Sequence, residues 1–133
     1  MFAARQDKEI VLEVFNEIGV LHDLSKIVSE KGVNLLAVCG EVHGKNAVIR
    51  MITDDNLRAT DALKAHDYAP MEADVVVVEV EHKPGMLVKL TDRLGRAGVD
   101  IGHIAATGLI GQNKCLAVLS CSDNARAMVV LNQ

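Results

Sequence analysis

Val11-Leu-Glu-Val-Phe-Asn-Glu-Ile-Gly-Val-Leu, in the first half of the chain, returns as Val77-Val-Glu-Val-Glu-His-Lys-Pro-Gly-Met-Leu in the second. Gly19 and Gly85 set the register at 66 residues, and at that offset Val11, Glu13, Val14, Leu21, Leu24, Gly32 and Val33 all meet identical residues. A second anchor, Asp55-Asn-Leu-Arg-Ala, recurs as Asp123-Asn-Ala-Arg-Ala at an offset of 68, so the later copy carries two extra residues between the anchors. A duplication read this way decides the fold before any single element does. The period is too long for a solenoid unit and near the lower limit for a small folded domain. Two domains are expected, residues 1–72 and 73–133.

Within a copy the hydrophobic period changes in a fixed order. Glu9 to Phe15 alternates charged and apolar residues, the pattern of a strand with one face on a core. From Val20 the apolar positions Val20, Leu21, Leu24, Ile27 and Val28 follow the stripe of an amphipathic helix, which Gly32 ends. Val33–Val42 and Ala47–Thr53 read as strands joined at His43-Gly-Lys-Asn, where Gly44 and Asn46 can take positive φ. Asp54, Asp55 and Asn56 offer caps for a second helix with Ala59, Ala62 and Leu63 on its buried face. Pro70 permits only the start or edge of a strand, so a short fourth strand around Tyr68 to Glu72 closes the copy.

The second copy repeats the series: a strand from Val75 to Glu81, a helix from Met86 to about Ala97, strands Val99–Gly108 and Lys114–Cys121, and a helix after Asp123. It ends at Gln133, aligned with Ala65, without a counterpart of the fourth strand. An open sheet edge recruits a strand, so another part of this chain or a second subunit is expected to cover it. A homodimer or larger assembly is expected on that ground.

Half of the residues are hydrophobic, yet there is no Trp, one Tyr and two Phe, so the core must be aliphatic. The net charge of −4 comes with dispersed basic residues, which argues against a nucleic-acid partner. No apolar run approaches the roughly 20 residues of a membrane-spanning helix, and the first residues lack a signal-peptide stretch. Cys39, Cys115 and Cys121 are odd in number and form no CxxC pair, so a reduced, cytoplasmic protein is expected and the thiols are assigned no chemistry. His22, His43, His66, His82 and His103 fall in different elements with no HxH or HxxxH spacing, so neither a metal nor a cofactor is expected.

The β-α-β-β-α-β order, with Gly at the first strand-to-helix turn and Gly-Val-Asn/Asp-Leu/Ile opening the second strand, resembles the ACT domain, an amino-acid-sensing regulatory module. Lys83-Pro-Gly-Met-Leu with Gly98-Val-Asp-Ile, and Asn16-Glu-Ile-Gly-Val-Leu with Gly32-Val-Asn-Leu, carry the resemblance over nearly the whole chain, twice. It implies an α+β fold of two ferredoxin-like modules, antiparallel sheets with helices on one face, the second lacking its last strand. It also implies a small amino acid bound where ACT units meet. Matched position by position, the ligand-binding residues would be Asn16, Glu17, Ile18, Gly19, Val20 and Leu21 with Asn34 and Leu35. The second copy would contribute His82, Lys83, Pro84, Gly85, Met86 and Leu87 with Asp100 and Ile101.

Physical chemistry supports such a site without the resemblance. A Gly directly before a helix lets a ligand approach the backbone, and the free N–H groups of the first turn attract a carboxylate. The chain departs from the ACT pattern at Ile18, where Pro is usual, and at Asp100, where Asn is frequent. The first copy, with Asn16 and Asn34, is therefore the preferred site. Plainer roles stand beside these: Gly19 and Gly85 serve equally as tight turns, Asn34 and Asp100 as capping residues. Acylphosphatases share the fold but need an Arg in the first loop, and copper chaperones need CxxC there; both are absent. The expectation is a non-enzymatic regulatory protein, with a ligand-free oligomerisation scaffold as the alternative.

Overall fold

A computed structural model describes residues 2–107 and 113–133. Its elements are β1 (Ala3–Phe15), α1 (Val20–Ser29), β2 (Leu35–His43), β3 (Asn46–Thr53), α2 (Asn56–Ala65), β4 (Met71–Glu81), α3 (Met86–Arg96), β5 (Ile101–Ala106), β6 (Lys114–Cys121) and α4 (Asn124–Leu131). They form two units, one of Lys8–Ala73 and one of Met1–Asp7 with Asp74–Gln133.

In the first unit the strand order is β2-β3-β1, antiparallel throughout. Strand alternation sends Ile10 and Leu12 of β1 and Ala47, Ile49 and Met51 of β3 to one face. There they join Leu24, Ile27 and Val28 of α1 and Ala59, Ala62 and Leu63 of α2 in a single core, so both helices cover the same face. Asp55 caps α2 by accepting the Arg58 N–H. Gly44, at φ 63°, turns the β2–β3 hairpin. Asn46 was expected to share that positive φ, but it is the first residue of β3, paired with His43; two residues, Gly44 and Lys45, suffice for the turn.

The second unit repeats this arrangement in β4-β6-β5 with α3 and α4. Its register reproduces the sequence repeat: Leu12↔Ile49 and Gly40↔Ile49 become Val78↔Ala117 and Ala106↔Ala117. Asp123 caps α4 through the Arg126 N–H, as Asp55 does α2. The strand expected over Val99–Gly108 is Ile101–Ala106, and Gly108 lies outside the described residues.

Two expectations change where the copies close. The fourth strand is not a separate piece around Tyr68, whose N–H instead bonds to the Leu63 carbonyl in the turn after α2. It is the opening of β4, Met71–Ala73, and β4 runs on unbroken into the second unit. The boundary expected at residues 1–72 also shifts, because Met1–Asp7 belong to the second unit. Phe2 is only 5% exposed and lies in that unit's core with Val78, Leu94 and Leu131. The Asn132 amide side chain also clasps Ala4, accepting its N–H and donating to its carbonyl, both at 2.9 Å. The beginning of β1 thus supplies what the second copy lacks, and the reason for expecting another subunit at that edge falls away.

Replacing Phe2 with Ala should therefore lower stability by about 3 kcal/mol, the low end for a buried aromatic, read as the shift in a urea-unfolding curve. An unchanged curve would show that the segment is not part of the core. The Glu9–Arg50 pair makes a second test: Oε1 and Nη1 are 2.7 Å apart and Glu9 is 3% exposed. At the repeat offsets Val75 and Val118 stand in their places. Arg50→Val alone should cost about 3 kcal/mol by stranding a buried carboxylate, and adding Glu9→Val should recover most of it; equal losses in single and double variants would refute that account.

Candidate functional site

Each first strand passes into its helix through a short turn. In the first unit the Asn16 N–H bonds to the Lys45 carbonyl and the Val20 N–H to that of Glu17, and Gly19 sits at φ 89°. In the second the His82 N–H bonds to the Asn113 carbonyl and the Met86 N–H to that of Lys83, and Gly85 sits at φ 87°. No atom lies within 4 Å of where a Cβ would stand at either glycine, so the dihedral alone demands Gly. The first intrahelical bonds are Asp23 N–H to Gly19 and Lys89 N–H to Gly85. The amides of Leu21 and His22, and of Leu87 and Val88, therefore have no acceptor within their own helix.

The residues around the two turns differ. Ile18 is fully exposed in the first unit and Leu21 nearly half exposed, while Val20 only lines the core edge. In the second, Met86 is buried at 6% and Leu87 is 57% exposed. Lys83 Nζ lies 3.1 Å from Glu81 Oε2 and holds that carboxyl below its usual range. Both side chains are about half exposed, so solvent weakens the pair. His82 Nδ1 and Cys115 Sγ lie 3.0 Å apart.

The other predicted residues lie elsewhere. Phe15 pairs with Asn46, which pairs with His43, eight residues along β2 from Leu35; at about 3.3 Å per residue that is roughly 25 Å. Asn34 and Leu35 therefore sit at the opposite end of their unit's sheet from Asn16–Leu21. Asp100 and Ile101 are separated from His82–Leu87 in the same way, since Ile101 pairs with Cys121 while Glu81 pairs with Lys114. Asn34 is also engaged locally: its N–H and its Nδ2 amide both donate to Asp54, whose carboxyl they hold below its usual range. The Asp100 N–H donates to Ser122 Oγ. Within one unit the two groups do not form a single site.

One group does converge. A hollow of about 170 Å³ opens beside the Gly85 turn, lined by Val80, His82, Lys83, Met86 and Leu87 together with Leu90, Ala106, Thr107, Cys115 and Ala117. Residues from four elements thus meet at the end of the sheet where α3 begins. Val80, Leu90, Ala106, Thr107, Cys115 and Ala117, and with them Glu81 and Leu116 of the same lining, were missed from sequence, and Cys115 was set aside as an inert thiol. Ala117 could have been found, because at the repeat offset it stands opposite Ile49. A larger depression of about 530 Å³ over Lys31, Leu57, Arg58 and Asp61 lies between α2 and the turn after α1 and touches none of the predicted residues. Cys121, nearer Asp100, has its thiol pushed up by burial and by the Asp100 charge. Among the described residues no three His, Cys, Asp or Glu side chains gather as metal ligands would, and no helix is long and apolar enough to cross a membrane.

No protein-family profile and no curated protein sequence matches the chain. Solved structures do. Protein BT0572 from Bacteroides thetaiotaomicron superposes with a TM-score of 0.90 at 26% identity, over 97% of this chain and 88% of that one. The regulatory subunit of aspartate kinase from Thermus thermophilus superposes with a TM-score of 0.69 at 14% identity, over 98% and 95%. The corresponding subunit from Thermus flavus gives 0.67 at 14%, over 99% and 95%. The six antiparallel strands and four helices of the described residues, a β-α-β-β-α series given twice, form the ACT-type fold seen in the aspartate kinase regulatory subunits.

Proposed function

We propose that the chain is a non-catalytic regulatory protein that binds a free amino acid at the strand-to-helix turn of its second unit. The observation that carries this reading is the 170 Å³ hollow beside the first turn of α3. A carboxylate placed against the Leu87 and Val88 amides would meet unpaired donors and the positive end of the helix dipole. Lys83 adds a cation at the same mouth. The ligand's ammonium would find acceptors in the Glu81 carboxylate or neighbouring carbonyls, and its side chain would enter the hollow. The fold shared with aspartate kinase regulatory subunits supports a regulatory role.

The reading moves the preferred site from the first copy to the second. Asn34, which favoured the first, is tied to Asp54 at the far end of its sheet. Asp100 and Ile101 enter the proposal only as groups that a second copy of the chain would present to the ligand.

Thermal unfolding in the presence of each of the twenty amino acids tests the proposal. A specific ligand at a hundredfold excess over its Kd should stabilise the protein by about 2.7 kcal/mol. The same ligand should slow iodoacetamide labelling of Cys115, which lines the hollow, as followed by peptide mass spectrometry. If no amino acid shifts the transition at millimolar concentration, the binding role fails and the scaffold alternative takes its place. Stabilisation without protection of Cys115 would put the site elsewhere.

A further inference from the structure

We infer that the chain holds one amino-acid site, not two, and that its occupant carries an aliphatic side chain, because Ala106 and Ala117 leave open in the second unit the space that Ile49 fills in the first. The inference rests on reading the hollow as an amino-acid site.

The strand register makes the comparison residue by residue. Ile49 pairs with Leu12 on one side and Gly40 on the other; Ala117 pairs with Val78 and Ala106. In the first unit Ile49 is 4% exposed, and its Cδ1 would lie 3.0 Å from a Cβ built on Gly40. A side chain at position 40 would crowd Ile49, whose Cδ1 would have to move by a few tenths of an ångström. The second unit has two methyl groups instead, four side-chain carbons replaced by two, and both alanines line the hollow. The sequence therefore closes the space in one copy and opens it in the other.

Charge favours the same copy. Lys83 stands where the first unit has Glu17, and Thr107 where it has Glu41. An α-carboxylate approaching the first turn would meet two anionic residues, and approaching the second it would meet Lys83 paired with Glu81, a net charge near zero. The ligand's own side chain would face Val80, Met86, Leu87, Leu90, Ala106 and Ala117. A volume of 170 Å³ is comparable with apolar cavities of about 150 Å³ that admit benzene. Three or four aliphatic carbons fit such a space; a charged side chain set among Val80, Met86, Leu90, Ala106 and Ala117 would lose its water, and Glu81 and Lys83, the charged residues of the lining, already pair with each other.

Titration calorimetry with L-valine, L-leucine and L-isoleucine against L-lysine, L-aspartate and L-threonine tests the inference on the intact chain. An aliphatic amino acid should bind with one molecule per chain and at least tenfold more tightly than any of the polar three. Ala117→Ile should weaken it at least tenfold, with circular dichroism confirming the fold; Ala106→Val, a β-branched substitution in a strand, narrows the same space and decides the matter if the first variant does not fold. Heat from none of the twenty amino acids would overturn the underlying binding reading. Binding that is tightest for a polar amino acid, or at two molecules per chain, or unaffected in folded Ala117→Ile or Ala106→Val protein, would overturn this inference and leave that reading standing.

Discussion

A strand that turns into a helix within four residues needs one residue in the left-handed region, and Gly19 and Gly85 occupy that place at φ 89° and 87°. A side chain there would cost roughly 1–2 kcal/mol although nothing crowds the position. Much else follows from this one backbone constraint. It brings α1 and α3 back over the sheets on which Leu24 and Leu90 pack, and it aims the first-turn amides outward at the end of each sheet. It also places the most buried residue of the α3 turn, Met86, against the hollow. The hollow and the fold are therefore two consequences of the same turn.

On that common frame the two copies have diverged by small steps. Ile49 and Gly40 of the first unit stand where Ala117 and Ala106 line the hollow of the second. Lys83, where the first unit has Glu17, sets a Lys–Glu pair with Glu81 at its mouth. The buried Glu9–Arg50 pair of the first unit has Val75 and Val118 as its counterparts in the second, an exchange that is often neutral for stability when both partners change together. None of these steps alters the strand register, which is why the superposed repeats still pair residue for residue.

The parts of the fold legible in the sequence were those fixed by near neighbours. Asp55 and Asp123 announce their helices because a cap needs only the N–H three residues on, and β6 was bounded correctly by the repeat, 68 residues after β3. The length of β1 was hidden, since Arg5-Gln-Asp-Lys carries no apolar alternation; what holds that end is Asn132, 128 residues away from Ala4. Local pattern cannot show such a partner. The site was half legible for the same reason. His82, Lys83, Met86 and Leu87 flank the turn in sequence, and the hollow they line is completed by Ala106, Cys115 and Ala117, which arrive from β5 and β6. Asn34 and Asp100 were grouped with the turns by resemblance, and the antiparallel strand order puts each at the other end of its sheet.

The central claim is that the amide donors of the α3 first turn and the methyl groups of the alanine-lined hollow hold one and the same ligand. Nuclear magnetic resonance of the chain titrated with L-leucine examines both in a single experiment. The account predicts coincident shifts, with one saturation curve, at the Leu87 and Val88 amides and at the Ala106 and Ala117 methyls, while the Leu21 and His22 amides and the Ile49 methyls stay still. Shifts centred on Leu21, His22 and Ile49, or amide shifts at Leu87 and Val88 with silent alanine methyls, would contradict it.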